Sequence, residues 1–252
     1  VAVGGFSVRG SCALDRYEGC LWTVPVDLGG RIRRFLFDLG AGVTSLDTRL
    51  AESLGLSEVR RVAGRRMTGT SLNVPLLEPT TLTIAGRAFE TTPGRIDLAA
   101  LLPPQWMPVD GVLALDVLEH IPFSVDLATG RLSFNDISTE GLQLLEVRLH
   151  RQIPGVSLVV LIAALSPEGN CWLELDNSNI GPTILSIATA RRLGIAPDFR
   201  ETTLHLSGLQ PFRTPISVTE CIYDGNLGRS FTDGRRFVFD LARGRAWASP
   251  SV

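Results

Sequence analysis

Short apolar runs, broken by glycine, proline and polar turns, dominate this chain, and long stretches with helical spacing are few. Runs of this kind predict strands. The sharpest is Phe35-Leu36-Phe37, which leads directly into Asp38-Leu39-Gly40-Ala41-Gly42. It predicts a buried strand ending in an acid, with Gly40 and Gly42 making a tight reversal at positive φ and a close backbone approach. Before it, 21–26 and 31–37 predict a hairpin around Gly29-Gly30, with arginines on its outer face. After it, 50–56 predicts a short amphipathic helix closed by Gly55. Residues 1–20 predict an N-terminal arm and 62–74 a polar, glycine-containing hairpin tip. Residues 82–89 predict a hairpin turning at Ala85-Gly86, and 97–109 a proline-rich loop exposing Trp106. The longest apolar run, 156–165, predicts a buried strand opening the second half and is too short to cross a bilayer.

An acid at a strand end is ordinarily a turn or a helix cap. Here the arrangement occurs twice. Cys171-Trp172-Leu173-Glu174-Leu175 leads into Asp176-Asn177-Ser178-Asn179, followed by a second short helix over 188–195 with Gly194 near its end. Asp110-Gly111-Val112-Leu113 precedes a hairpin containing Asp126-Leu127-Ala128-Thr129-Gly130-Arg131. Asp224-Gly225-Asn226-Leu227 precedes one containing Asp240-Leu241-Ala242-Arg243-Gly244-Arg245. Three matched blocks in the same order predict an internal duplication with one strand-end acid per copy. The division falls at a polar linker over 135–141: an N-terminal lobe over 1–140 carries the first acid loop and a flap, and a C-terminal lobe over 141–252 carries the second.

The 252 residues suffice for two lobes with substantial cores, and the composition is that of an ordinary globular protein. A net charge of −2 gives no basic field, which argues against a nucleic-acid partner. All 24 basic residues are arginine, which reads as coding bias. The scattered histidines (His120, His150, His205) and the absence of a CxxC pattern argue against a metal site, and no cofactor is expected. Cys12 with Cys20, and Cys171 with Cys221, are either disulfides of an oxidising compartment or buried free thiols. The chain begins at Val1, without Met, which fits a processed product and a periplasmic or secreted location.

If the copies pack about a pseudo-twofold axis, Asp38 and Asp176 meet. Two such carboxyls cannot both ionise freely, so they share a proton. One then serves as general base toward a water while the other polarises a carbonyl. Aspartic proteases illustrate this tuning. Phe37-Asp38-Leu39-Gly40-Ala41 and Leu175-Asp176-Asn177-Ser178, with Val112-Leu113-Ala114 and Asn226-Leu227-Gly228, resemble the motifs of the pepsin/retropepsin superfamily of aspartic proteases. The likeness is to its bacterial members with both lobes in one polypeptide, and it covers roughly 21–248.

The resemblance implies an all-β bilobal fold, with two pseudo-twofold-related β-barrel lobes and short helices. It implies Asp38 and Asp176 as catalytic residues, Gly40 and Ser178 beside the substrate, and Met67, Thr68 and Gly69 at a flap tip over an extended peptide. The chain departs from the family pattern at five positions. Leu39 and Asn177 replace hydroxyl residues that lock the two loops together, Ser178 and Ala114 replace glycines, and the hydroxyl four residues after the first acid is absent at Gly42.

These features imply a monomeric aspartic endopeptidase acting on peptide or protein, without a membrane span. The alternative is an inactive pseudo-protease whose cleft binds peptide by strand addition. A glycosidase is disfavoured, because its acids stand farther apart. No histidine stands in a recognisable relation to Ser45, Ser53 or Ser178, which argues against a serine nucleophile. Asp116, Asp126 and Asp240 read as turn or hairpin acids, while Asp110 and Asp224 each open a turn before a buried apolar pair.

Overall fold

The computed structural model of the chain describes residues 10–196 and 198–250; the part of the predicted N-terminal arm over 1–9 lies outside the described residues. The molecule is mostly β-sheet and two-lobed, and three sheets organise it. A ten-stranded sheet is built from strands between Asp15 and Leu113, and a seven-stranded sheet from strands between Val147 and Leu227. A six-stranded sheet takes strands from both halves.

The duplication appears as repeated hydrogen bonding. The strand Arg31–Phe37 runs parallel to Gly111–Leu113, and Cys171–Leu175 runs parallel to Gly225–Leu227. The N–H of Asp38 donates to the carbonyl of Leu113 at 3.0 Å, and that of Asp176 to Leu227 at 3.0 Å. Asp110 Oδ2 accepts from Arg34 N at 2.9 Å, and Asp224 Oδ2 accepts from Trp172 N at 2.7 Å. Asp47 caps the helix Thr48–Ser53, Ser186 caps Ile187–Arg192, and Gly55 and Gly194 follow them with the same φ of +67°. Glycine suits that left-handed position because a side chain there is strained. The segments expected as turns after Asp110 and Asp224 are themselves strands, paired inside the sheets.

In the six-stranded sheet, Phe123–Asp126 of the first half pairs antiparallel with Arg236–Asp240 of the second. The register joins Phe123 to Phe239 and Val125 to Phe237, so equivalent residues of the two copies exchange places about the pair Ser124 and Val238. This is the pairing a pseudo-twofold requires. Phe123 and Phe239 stack at 4.9 Å, and one apolar core runs through both halves from Phe35 and Phe37 to Phe237 and Phe239.

Several expectations are corrected. The two larger sheets are open rather than closed barrels: the ten-stranded order ends at Glu58–Arg65 and Arg87–Thr91, which do not pair with each other. The reason lies in the Glu58–Arg65 edge, whose hairpin reaches toward the second half instead of closing its own sheet. Val147–His150, only half-buried and therefore not an apolar run, precedes the strand Val159–Ala164 in the second half. Trp106 is half-buried rather than exposed, because it packs edge-on against Tyr17 at 5.5 Å. All four cysteines are free thiols, so the disulfide alternative is not realised.

Candidate acid-pair site

Each acid ends its strand in the same way. Asp38 Oδ1 accepts from Gly40 N at 2.8 Å and Ala41 N at 3.0 Å. Asp176 Oδ1 accepts from Ser178 N at 2.8 Å, Asn179 N at 3.1 Å and the Ser178 hydroxyl at 2.7 Å. These side-chain bonds fold the loops. Neither Gly40 nor Gly42 has a positive φ, which corrects the expected backbone reversal: the carboxylate holds the turn in ordinary conformations. The close approach is present. A Cβ on Gly40 would lie 2.7 Å from the Cβ and 2.8 Å from Oδ1 of Asp176. Glycine is required there by the other half's acid.

The loops are joined by one side chain. Asn177 Oδ1 accepts from Leu39 N at 2.7 Å, and its Nδ2 donates to the Phe37 carbonyl at 2.9 Å, both in the interior. Leu39 is fully buried in the core. The two-sided hydroxyl lock implied by the resemblance is thus replaced by a one-sided amide clamp that satisfies two backbone groups at once.

Behind Asp176 stand two residues that the sequence did not mark as part of the site. Asn226 Nδ2 donates to Asp176 Oδ2 at 2.8 Å and to Glu174 Oε2 at 3.2 Å, while its Oδ1 accepts from Asn179 Nδ2 at 2.8 Å. The available signal was a contrast between the repeats: Leu36 and Val112 occupy the corresponding places in the first half.

Burial and the neighbouring Asp176 push Asp38 up to about 7, against the pull of the Ser178 hydroxyl and the Gly40 and Ala41 amides. Burial, then the charges of Asp176 and Asp38, push Glu174 up to about 8, with Asn226 opposing. Among the described residues no ion pair is made by Asp38, Asp176 or Glu174. With no ion-pair partner among the described residues, Asp38 and Glu174 hold their protons into the neutral range.

Asp116 proves to be a half-buried support in the first turn of the short helix Leu115–Leu118. It accepts from the Thr44 hydroxyl at 2.6 Å and from Thr44 N at 3.0 Å, while Thr44 Oγ1 accepts from Ala114 N at 3.0 Å. Burial pushes it up to about 6 despite those donors.

The hairpin of Glu58–Arg65 and Ser71–Leu77 turns at 66–70, with Gly69 at φ +84°. Met67 O accepts from Ile222 N at 3.0 Å, and a Cβ on Gly69 would lie 3.4 Å from Ile222 Cγ2. Thr68 bonds to Thr70 within the turn at 3.1 Å. Gln152 adds a second tie. Its Oε1 accepts from Arg65 N at 2.5 Å, and its Nε2 donates to Arg65 O at 3.2 Å and to the Tyr223 hydroxyl at 3.0 Å. Met67 and Gly69 therefore meet the second half at Ile222, while Gly40 and Ser178 lie on the acid loops. Two surface cavities of ≈370 and ≈760 Å³, both lined by Ser230 and Asp233, do not include the acids.

No protein-family profile and no curated protein sequence matches the chain. Solved structures do match its shape. Basic 7S globulin from soybean superposes with a TM-score of 0.56 at 13% identity, covering 95% of this chain and 94% of that one. The protein named edgp gives 0.61 at 10%, covering 98% and 96%. Conglutin gamma, a basic 7S globulin from lupine seeds, gives 0.56 at 11%, covering 95% and 94%. At these identities the likeness speaks for architecture, and with the repeated acid loops and the shared six-stranded sheet it gives the chain a pepsin-like fold.

Proposed function

We propose that the two halves hold an extended peptide beneath the hairpin 58–77, and that Asp38 and Asp176 hydrolyse it as an aspartic endopeptidase. The observation that carries this reading is the packing of Gly40 against the Asp176 carboxyl, which sets the two acid loops against each other. In the one-proton state, the ionised acid takes a proton from water while the protonated acid donates to the peptide carbonyl. The water oxygen bonds to the carbonyl carbon. The C–N bond then breaks as its nitrogen takes a proton back from the pair, giving a carboxylic acid and an amine. We place this activity in the periplasm or outside the cell as part of the same proposal.

A second reading, peptide binding without turnover, has observations of its own. The Leu39 side chain returns no hydrogen bond, Asn226 already occupies Asp176 Oδ2, and two of the three similar structures are globulins by name. One experiment separates the readings. A random-peptide pool is incubated with the parent protein, Asp38→Asn and Asp176→Asn across pH 3 to 8, and cut and retained peptides are read by mass spectrometry. Cuts by the parent that fall by about a thousandfold in both variants support the endopeptidase. Retained peptides without cuts at any pH support the binding module, and cuts that persist in both variants remove the acid pair from the mechanism.

A further inference from the structure

Strand geometry fixes what flanks the two acids. Residues two apart on a strand share a face, so Leu36 stands on the side of Asp38 and Glu174 on the side of Asp176. Their cross-strand partners are Val112 and Asn226. The duplication therefore supplies equivalent flanks on either side of the pair, with opposite chemistry. In the first half the flank is apolar: Leu36 and Val112 cluster with Tyr17, Leu98 and Val109, and Trp106 packs against them. In the second half it is a carboxyl and an amide.

Glu174 is only 6% exposed, yet among the described residues it makes no ion pair. Among the described residues its side chain's single hydrogen bond comes from Asn226 Nδ2, at 3.2 Å and shared with Asp176. A leucine serves the same place in the first half, so the fold alone does not call for an acid there. Burying a carboxyl with so little compensation is costly unless something pairs with it. Burial, and then the charge of Glu174, push the Tyr223 phenol up.

We infer that Glu174 and Asn226 form a subsite beside Asp176 that receives the cationic side chain of the bound peptide, an arginine or a lysine. Glu174 gives up its proton to water as the guanidinium or ammonium pairs with its carboxylate, while the Leu36 and Val112 flank takes an apolar side chain on the other side of the acid pair. This inference rests on the peptide-binding reading above and adds the substrate class: an extended segment with a basic residue on one side of the acids and an apolar residue on the other.

The test uses the full chain and a peptide pool in which one position at a time is Arg, Lys, Leu, Gln or Glu. Cut and retained fractions are both sequenced for the parent, Glu174→Gln and Glu174→Leu, and folding of each is checked by circular dichroism. The parent is expected to favour Arg or Lys over Leu by about tenfold at one position. Glu174→Gln should lose that preference, and Glu174→Leu, which installs the first-half residue, should turn it toward apolar side chains. A parent that handles peptides without a basic preference overturns this inference alone, as does a preference that survives in both variants. A parent that neither cuts nor retains any peptide overturns the inference together with the peptide-binding reading.

Discussion

Asn177 carries more of the site's geometry than its place in the sequence suggests. Its amide both accepts and donates across the junction, whereas a hydroxyl in the usual pattern works with a matching hydroxyl from the opposite loop. Because the Leu39 side chain forms no hydrogen bond in return, the clamp has no reserve. Asn177→Ala would leave the Leu39 N–H and the Phe37 carbonyl unpaired in the interior, a loss of about 2–4 kcal/mol for two buried groups. Urea unfolding should register it, and peptide cutting or retention should fall with it, since both acids hang from the same two loops. The acids themselves were legible in the sequence, because each sits where an apolar run meets small polar residues. Glu174 and Asn226 were not: an acid inside Cys171-Trp172-Leu173-Glu174-Leu175 reads as an outward-facing strand position. The Asn226 side chain that bonds it arrives from a distant segment, through a parallel pairing that no local pattern announces.

Among the elements, the hairpins were the most readable, since turn residues mark them. Gly29-Gly30 and Ala85-Gly86 take positive φ where the turns were expected. The strand Val147–His150 was hidden because its half-buried positions give no apolar run. The hairpin 58–77 was visible as a polar tip, but its attachment was not. Gln152 bonds both the N–H and the carbonyl of Arg65, the two groups that an added peptide strand would use on this edge. A bound segment that pairs there must displace that amide, so the tie lowers apparent affinity by the fraction of time it is closed. Gln152→Ala should therefore speed exchange of the Arg65 amide hydrogen and tighten peptide retention several-fold. Slower exchange, or retention that weakens, would show that Gln152 supports the bound form instead.

For the molecule as a whole, the acids with raised pKa values set a pH dependence opposite to that of a protein held by ion pairs. Asp38, Asp116 and Glu174 hold protons more tightly folded than unfolded, at about 7, 6 and 8 against ordinary values of 3.8, 3.8 and 4.5. Their contribution is complete below about pH 4 and is lost as pH rises through 6 to 8, because the folded state then binds more protons than the unfolded one. Thermal unfolding should accordingly show a falling midpoint across that window. Glu174→Gln should flatten the fall, gaining relative to the parent at pH 8 and not at pH 4. The shared sheet has a consequence for how the chain is made. Phe123–Asp126 is synthesised long before Arg236–Asp240, its partner, and until then that edge lacks its pairing strand. A nascent or truncated chain thus exposes a strand that a neighbour can fill, so exchange of halves between chains competes with correct closure during synthesis.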